Sequence, residues 1–134
     1  LVTANEGILA EQFIAQELLN IQPEYMSPEL FYWSREEKSS NAEIDFIFQH
    51  KNKIYPIEVK AGKTGTLKSM QLYLHEKKLK EGIRFNMDLP SKGSFHVRLN
   101  VPGNSAELSW TLLSLPLYMV SELRRLIDLG VLRS

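Results

Sequence analysis

Two short runs of alternating apolar residues, separated by polar ones, constrain this chain's fold more than any other feature of its 134 residues. In Glu43-Ile44-Asp45-Phe46-Ile47-Phe48-Gln49, residues Ile44, Phe46 and Phe48 share one face at period two. Tyr55, Ile57 and Val59 do the same within Ile54-Tyr55-Pro56-Ile57-Glu58-Val59-Lys60. Between them His50-Lys51-Asn52-Lys53 fits a four-residue connection, so the segment predicts an antiparallel hairpin. Pairing Gln49 with Ile54 sets Ile47 opposite Pro56, Asp45 opposite Glu58 and Glu43 opposite Lys60. Opposed side chains have Cβ atoms roughly 4.5–5.5 Å apart, and like charges there repel. Asp45 and Glu58 therefore call for a positive partner. A divalent cation such as Mg²⁺, which takes one or two carboxylates along with water and phosphate oxygens, would serve, with Lys60 beside it. A solvated hairpin face, in which Glu43 and Lys60 offset the repulsion, accounts for the same residues without a metal.

Upstream, residues 6–20 predict a helix. At about 100° per residue Ala10, Ile14, Leu18, Ala15, Ile8 and Leu19 gather into one apolar arc, and Glu11 falls inside it. A buried carboxylate needs a partner; a place at the arc's edge or in the helix's first turn is the alternative. Pro23 and Pro28 mark a loop, Leu30 to Ser34 a short aromatic strand, and Arg35 to Asn41 a polar turn. With the hairpin this makes α-β-β-β.

After Lys60, Ala61-Gly62-Lys63-Thr64-Gly65-Thr66 reads as a loop. Its Gly-Lys-Thr triplet is not a phosphate-binding loop: the glycine required five residues before Gly62 is Ile57, inside a strand. No ATPase site is expected in this segment. Residues 67–81 predict a helix with Leu67, Met70, Tyr73 and Leu74 inward, carrying Lys68 and Gln71 near its start. Ile83–Met87 and Ser94–Leu99 predict strands joined by a turn over Asp88–Gly93, and residues 108–115 a further short strand. Leu117 to Leu129 carries a helical period that ends at Gly130.

The length suits one domain with its own core. No apolar run approaches the roughly 20 residues of a membrane span. The lack of cysteine excludes disulfides and thiolate metal sites and leads us to expect a cytoplasmic setting. The chain opens at Leu1 without a methionine and reads as a piece of a longer protein. Net charge is zero, but it is segregated. Residues 1–50 hold nine acids against Arg35 and Lys38, whereas residues 51–84 hold nine Lys/Arg against Glu58, Glu76 and Glu81. The basic 51–84 segment is a candidate nucleic-acid surface, or simply a solvated lysine-rich helix. His50, His75 and His96 are scattered, and Trp33 and Trp110 read as core aromatics.

A helix carrying Glu11, then Asp45, then Glu58-Val59-Lys60, then a basic helix with Gln71, resembles the PD-(D/E)XK nuclease superfamily. More closely, Gly7–Glu11, Phe31-Tyr32-Trp33, Glu43–Ile47, Pro56-Ile57-Glu58-Val59-Lys60 and Leu115-Pro116-Leu117-Tyr118 resemble one family. It is the domain of unknown function at the C-terminus of bacterial and archaeal AAA-type ATPases. The resemblance implies an α/β, restriction-endonuclease-like core: a central mixed β-sheet flanked by helices in the order α-β-β-β-α-β. It implies one domain over residues 1–134 with an ATPase module upstream, and a Mg²⁺ (or Mn²⁺) cofactor. Asp45 and Glu58 match the metal-binding acids, with the Val59 carbonyl as third ligand and Glu11 acting through a metal-bound water. Lys60 matches the lysine that acts on the attacking water or the transition state, and Gln71 the accessory polar residue. The activity implied is hydrolysis of DNA or RNA. A catalytically silent nucleic-acid-binding or protein-interaction module that keeps the fold is the alternative, with the four polar residues closed into a salt-bridge cluster.

Overall fold

The computed structural model describes residues 3–22, 31–37, 40–62 and 67–133. Helix α1 (Thr3–Asn20) leads to strands β1 (Phe31–Glu37), β2 (Ser40–His50) and β3 (Lys53–Val59). Helix α2 (Lys68–Lys77) and strands β4 (Glu81–Asn86), β5 (Ser91–Val101) and β6 (Asn104–Pro116) follow. The described chain closes with a 3-10 helix (Leu117–Glu122) and α3 (Leu123–Asp128). The strands form one sheet in the order β1-β2-β3-β4-β6-β5, with β3, β4 and β6 parallel and the remaining neighbours antiparallel. The fold is α/β with a six-stranded mixed sheet flanked by helices, and its first six elements run α-β-β-β-α-β.

Each face of the sheet has its own core. Ala10, Ile14 and Leu18 of α1 pack with Ile57, Val59, Phe85, Leu115 and Leu123 on one face. On the other, Met70, Tyr73 and Leu74 of α2 pack with Ile44, Trp110 and Leu112. Strand β6 lies inside the sheet and is covered on both sides, so residues 110–116 are buried without alternation. Trp110 is a core residue, and Trp33 packs edge-on against Tyr73 at 5.0 Å.

Several expectations change. Strand takes up most of the expected Arg35–Asn41 turn: Arg35 pairs with Ala42 and Glu37 with Ser40, and residues 38–39 between them lie outside the described residues. Polar residues give no hydrophobic period, so the pairing there left no mark in the sequence. The hairpin connection is two residues rather than four, because His50 pairs with Lys53 and Lys51 takes a left-handed φ of 57°. Helix α2 stops at Lys77 rather than residue 81. Lys78 turns left-handed at its end, donating to the His75 and Leu74 carbonyls, and Glu81 already belongs to β4. The final helical stretch divides into a 3-10 turn and α3. The Pro23/Pro28 loop, Leu30, and residues 63–66 of the Gly-Lys-Thr loop lie outside the described residues.

Strand β2 does not alternate as expected. Phe46 and Phe48 face α1, but Ile44 lies with Ile47 on the α2 face. The β1 register explains this. Phe31 pairs with Ile47 and Trp33 with Ile44, so three steps on β2 oppose two on β1. The extra residue is a bulge at Asp45–Phe46, a device that ends regular pairing and re-aims a side chain.

Candidate functional site

The bulge decides where Asp45 goes. The β2–β3 ladder runs from His50–Lys53 to Phe46–Ile57 and stops there, so the expected Asp45–Glu58 and Glu43–Lys60 pairs do not form. The next rung would have given the Val59 amide to Ile44. Instead Val59 N–H donates to Asp45 Oδ2 at 2.8 Å. On the far side of β3, Lys60 N–H donates to Phe85 O at 2.8 Å. A trans peptide points its C=O opposite to its N–H. The Val59 carbonyl therefore points away from β4, to the side where Asp45 stands.

Glu58 comes next along the strand. It is only 5% exposed, and its Oε2 has no hydrogen-bond partner among the described residues. Burial pushes its carboxyl above the ordinary range, and Asp45 pushes the same way; Lys60 and Arg84 oppose it. Arg84 sits opposite Glu58 on β4 and donates through Nε to Ser114 Oγ at 3.2 Å. The sequence offered no sign of Arg84, because the parallel β3–β4 register depends on how the α2 crossover closes.

Glu11 is on the exposed side of α1, not within its buried arc. Ile8, expected inward, is exposed too. The arc's buried centre is narrower, made by Ala10, Ile14 and Leu18. Glu11 nonetheless meets Asp45. Partial burial of its carboxyl raises its pKa, and so do the charge of Asp45, a hydrogen bond with it, and Glu43; Lys60 opposes them. Two carboxyl groups can hydrogen-bond only with a proton between them. Glu11, Glu43 and Asp45 line one cavity of about 310 Å³ with Phe31, Tyr32, Ile44 and Phe46.

Lys60, half-buried, acts electrostatically on both Glu11 and Glu58. None of Glu11, Asp45 or Glu58 is ion-paired with it among the described residues. Gln71, half-buried on α2, makes no side-chain hydrogen bond with the described residues, and neither it nor Glu58 or Lys60 lines the cavity of Glu11 and Asp45. Another α2 residue, Ser69, ties that helix to β2 by accepting from Glu43 N–H at 3.3 Å. Among the described residues no three His, Asp or Glu side chains make up a metal's ligand set by themselves. Two carboxylates with a backbone carbonyl are a different donor set, all oxygen. They suit Mg²⁺, which keeps several waters and takes one or two carboxylates. The unpartnered Glu58 oxygen and the proton-requiring Glu11–Asp45 contact are both places where a cation would relieve the acids.

Fold and site together define an α/β domain whose acid–lysine cluster sits where the parallel strand β3 ends. The chain belongs to the family described as Domain of unknown function (DUF4143), which it matches over residues 6–95. That span takes in Glu11, Asp45, Glu58, Lys60 and Gln71, and ends within β5, short of Leu115–Tyr118. No curated protein matches the sequence. No helix among the described residues is long and apolar enough to cross a membrane.

Proposed function

We propose that this is a divalent-cation-dependent nuclease domain of the PD-(D/E)XK type, hydrolysing DNA or RNA at the C-terminus of an AAA-type ATPase. The observation that carries the reading is Glu58: a nearly buried carboxylate with an unpartnered oxygen, beside Asp45 and Lys60 and without an ion pair. Asp45, Glu58 and the Val59 carbonyl would hold Mg²⁺ or Mn²⁺. When bound, that ion lowers the pKa of a coordinated water and polarises the phosphate. Asp45 is kept in place by the Val59 amide, so the donor set starts preorganised. Lys60, free of ion pairs among the described residues, can donate to a phosphate oxygen or to the attacking water. Glu11, facing Asp45 across the cavity, would hold a water there in its ionised form.

Under the silent alternative the four residues could close into a salt-bridge cluster, and the lack of an ion pair at Lys60 among the described residues weighs against that form of it. The test is calorimetric titration of Mg²⁺ and Mn²⁺ into wild type and Asp45→Asn, followed by cleavage of single- and double-stranded DNA and RNA. Asn keeps an oxygen for the Val59 amide, whereas Ala would strand that donor at a cost of about 1–3 kcal/mol. We expect binding and cleavage by wild type, both lost in Asp45→Asn with the fold intact. Wild type that binds neither ion would overturn the proposal.

A further inference from the structure

Of the described lysines in the basic 51–84 segment, Lys51, Lys53, Lys77, Lys78 and Lys80 lie away from the candidate site. Helix α2 leaves the site end of the sheet at Lys68 and arrives at the opposite end with Lys77 and Lys78. The hairpin turn brings Lys51 and Lys53 to that same far end, and Lys80 precedes β4 there. From Lys53 to Lys60 the strand rises seven residues, about 23 Å.

At this far end three cavities adjoin, of about 410, 230 and 170 Å³, and Glu81 lines all three. Lys80 is shared by two of them, Lys53 by two, and Arg133 by two. The walls carry Lys51, Lys53, Lys78, Lys80 and Arg133 against Glu81 and Asp128, five cations to two acids. Both acids are already engaged: Lys53 Nζ donates to Glu81 Oε1 at 2.8 Å, and Asp128 Oδ1 meets His50 Nε2 at 2.7 Å and Lys51 Nζ at 3.0 Å. Lys78, Lys80 and Arg133 have no side-chain ion pair among the described residues. Two of these cations are held by their backbones. Thr111 N–H donates to Lys80 O at 2.8 Å, and Lys92 Nζ to Arg133 O at 2.8 Å. The largest cavity also presents Phe95, a partly exposed ring stacked on buried Trp110 at 5.2 Å, with Ser94, Ser109 and Thr111 around it.

We propose that this cleft binds a nucleic-acid strand, with Lys80, Arg133 and Lys78 on its phosphates and Phe95 beneath a base. Cations tracking a backbone next to an aromatic face are the means by which single strands are held without sequence preference. On a chain of zero net charge, such a concentration of cations is a local property of the fold. The cleft acts as an anchoring surface remote from Asp45 and Glu58, and its binding requires neither a divalent ion nor cleavage.

The test is fluorescence anisotropy with a labelled oligothymidine of about 20 nucleotides in excess EDTA, across a salt series. The proteins compared are wild type, Asp45→Asn, Lys80→Glu/Arg133→Glu, the neutral pair Lys80→Gln/Arg133→Gln, and a charge-matched control, Arg98→Glu/Arg125→Glu. Each lost phosphate contact lowers the log–log salt slope by about 0.7 for a single strand, so either cleft pair should lower it by about 1.4. We expect at least tenfold weaker binding for the Lys80/Arg133 charge reversal, with wild-type affinity for the control and Asp45→Asn. Phe95→Ala should weaken binding with no change in slope. Wild type that does not bind in EDTA, or an unchanged slope in the neutral pair with its melting temperature preserved, refutes the cleft. Equal displacement by tripolyphosphate and by unlabelled oligonucleotide would also refute a strand site, since free phosphate would then suffice. Loss of cleavage in Asp45→Asn with binding retained separates the two sites; binding lost in both Asp45→Asn and the cleft variants overturns the separation.

Discussion

Replacing Glu58 with glutamine should stabilise the metal-free domain at neutral pH, an unusual outcome for a substitution at so buried a position. Wild type keeps a carboxylate 5% exposed with one oxygen unpartnered, and burial raises its pKa. The folded-state value therefore lies above the ordinary 4.5, and the folded state holds the proton more tightly than the unfolded one. The contribution of Glu58 to stability is thus greatest below pH 4.5 and falls as pH rises through the window between 4.5 and the raised value. Glutamine has nearly the same shape and no charge. It relieves a charged-group desolvation penalty that exceeds the ~1–3 kcal/mol typical of an unsatisfied polar atom, while introducing an amide that can itself lack a partner. A net gain of about 1–2 kcal/mol is expected. With about 2.1 cal/mol/K of unfolding entropy per residue, this raises Tm by about 4–7 °C.

The assay is calorimetric or circular-dichroism melting from pH 4 to 8, with EDTA or with Mg²⁺. The two proteins should converge near pH 4 and diverge above it. A cation at ten times its Kd stabilises wild type by about 1.4 kcal/mol, and Glu58→Gln should lose most of that gain. If Glu58→Gln is destabilised equally across the whole range, in EDTA and in Mg²⁺ alike, Glu58 is a satisfied structural ion beside Arg84 and the reasoning fails.

Asp128 provides the opposite sign. His50 first, and Lys51 second, hold its carboxyl below the ordinary 3.8, so its stabilising contribution is present above that value and is lost as pH falls through the depressed one. Asp128→Asn should therefore destabilise the domain at neutral pH and flatten its acid limb below about pH 4, as read by urea midpoints. Gly82→Ala should cost about 1–3 kcal/mol by overpacking. Its new Cβ would press on Met70 Sδ and lie 3.3 Å from the Trp110 ring, with Met70 fully buried. Combined with Met70→Ala, the loss measured by denaturation should be smaller than the sum of the two singles.

Much of the architecture is legible in one dimension because burial on a sheet or helix leaves a period. Tyr55, Ile57 and Val59 share one face as expected, the one α1 covers, and Met70, Tyr73 and Leu74 mark the inner side of α2. Strand β6, covered on both faces, gave only its apolar half to the eye, and structure extends it back to Asn104. The polar ends of β1 and β2 gave none, since polar residues carry no hydrophobic period. The bulge at Asp45–Phe46 escaped for a related reason. An alternating string of residues reads the same whether or not one position is stepped over, and only the neighbouring strand, pairing Phe31 with Ile47 and Trp33 with Ile44, reveals the slip.

The sequence by itself determined the residue types of the candidate site and their order along the chain: an acid on the first helix, an acid on β2, and Glu-Val-Lys closing β3. Its periods marked the inward residues of α2 and the shared face of β3, and the resemblance it carries implied a mixed sheet flanked by helices. Tertiary structure alone decided that Asp45 binds the Val59 amide instead of facing Glu58, that Glu11 reaches Asp45 from the exposed side of α1, and that Arg84 stands opposite Glu58. It alone divided the basic segment, sending Lys53, Lys78 and Lys80 to the end of the sheet away from Lys60. The reason is the same in each case. Local pattern records which face a residue turns to its own element's core, whereas register, bulges and crossovers depend on partners far along the chain.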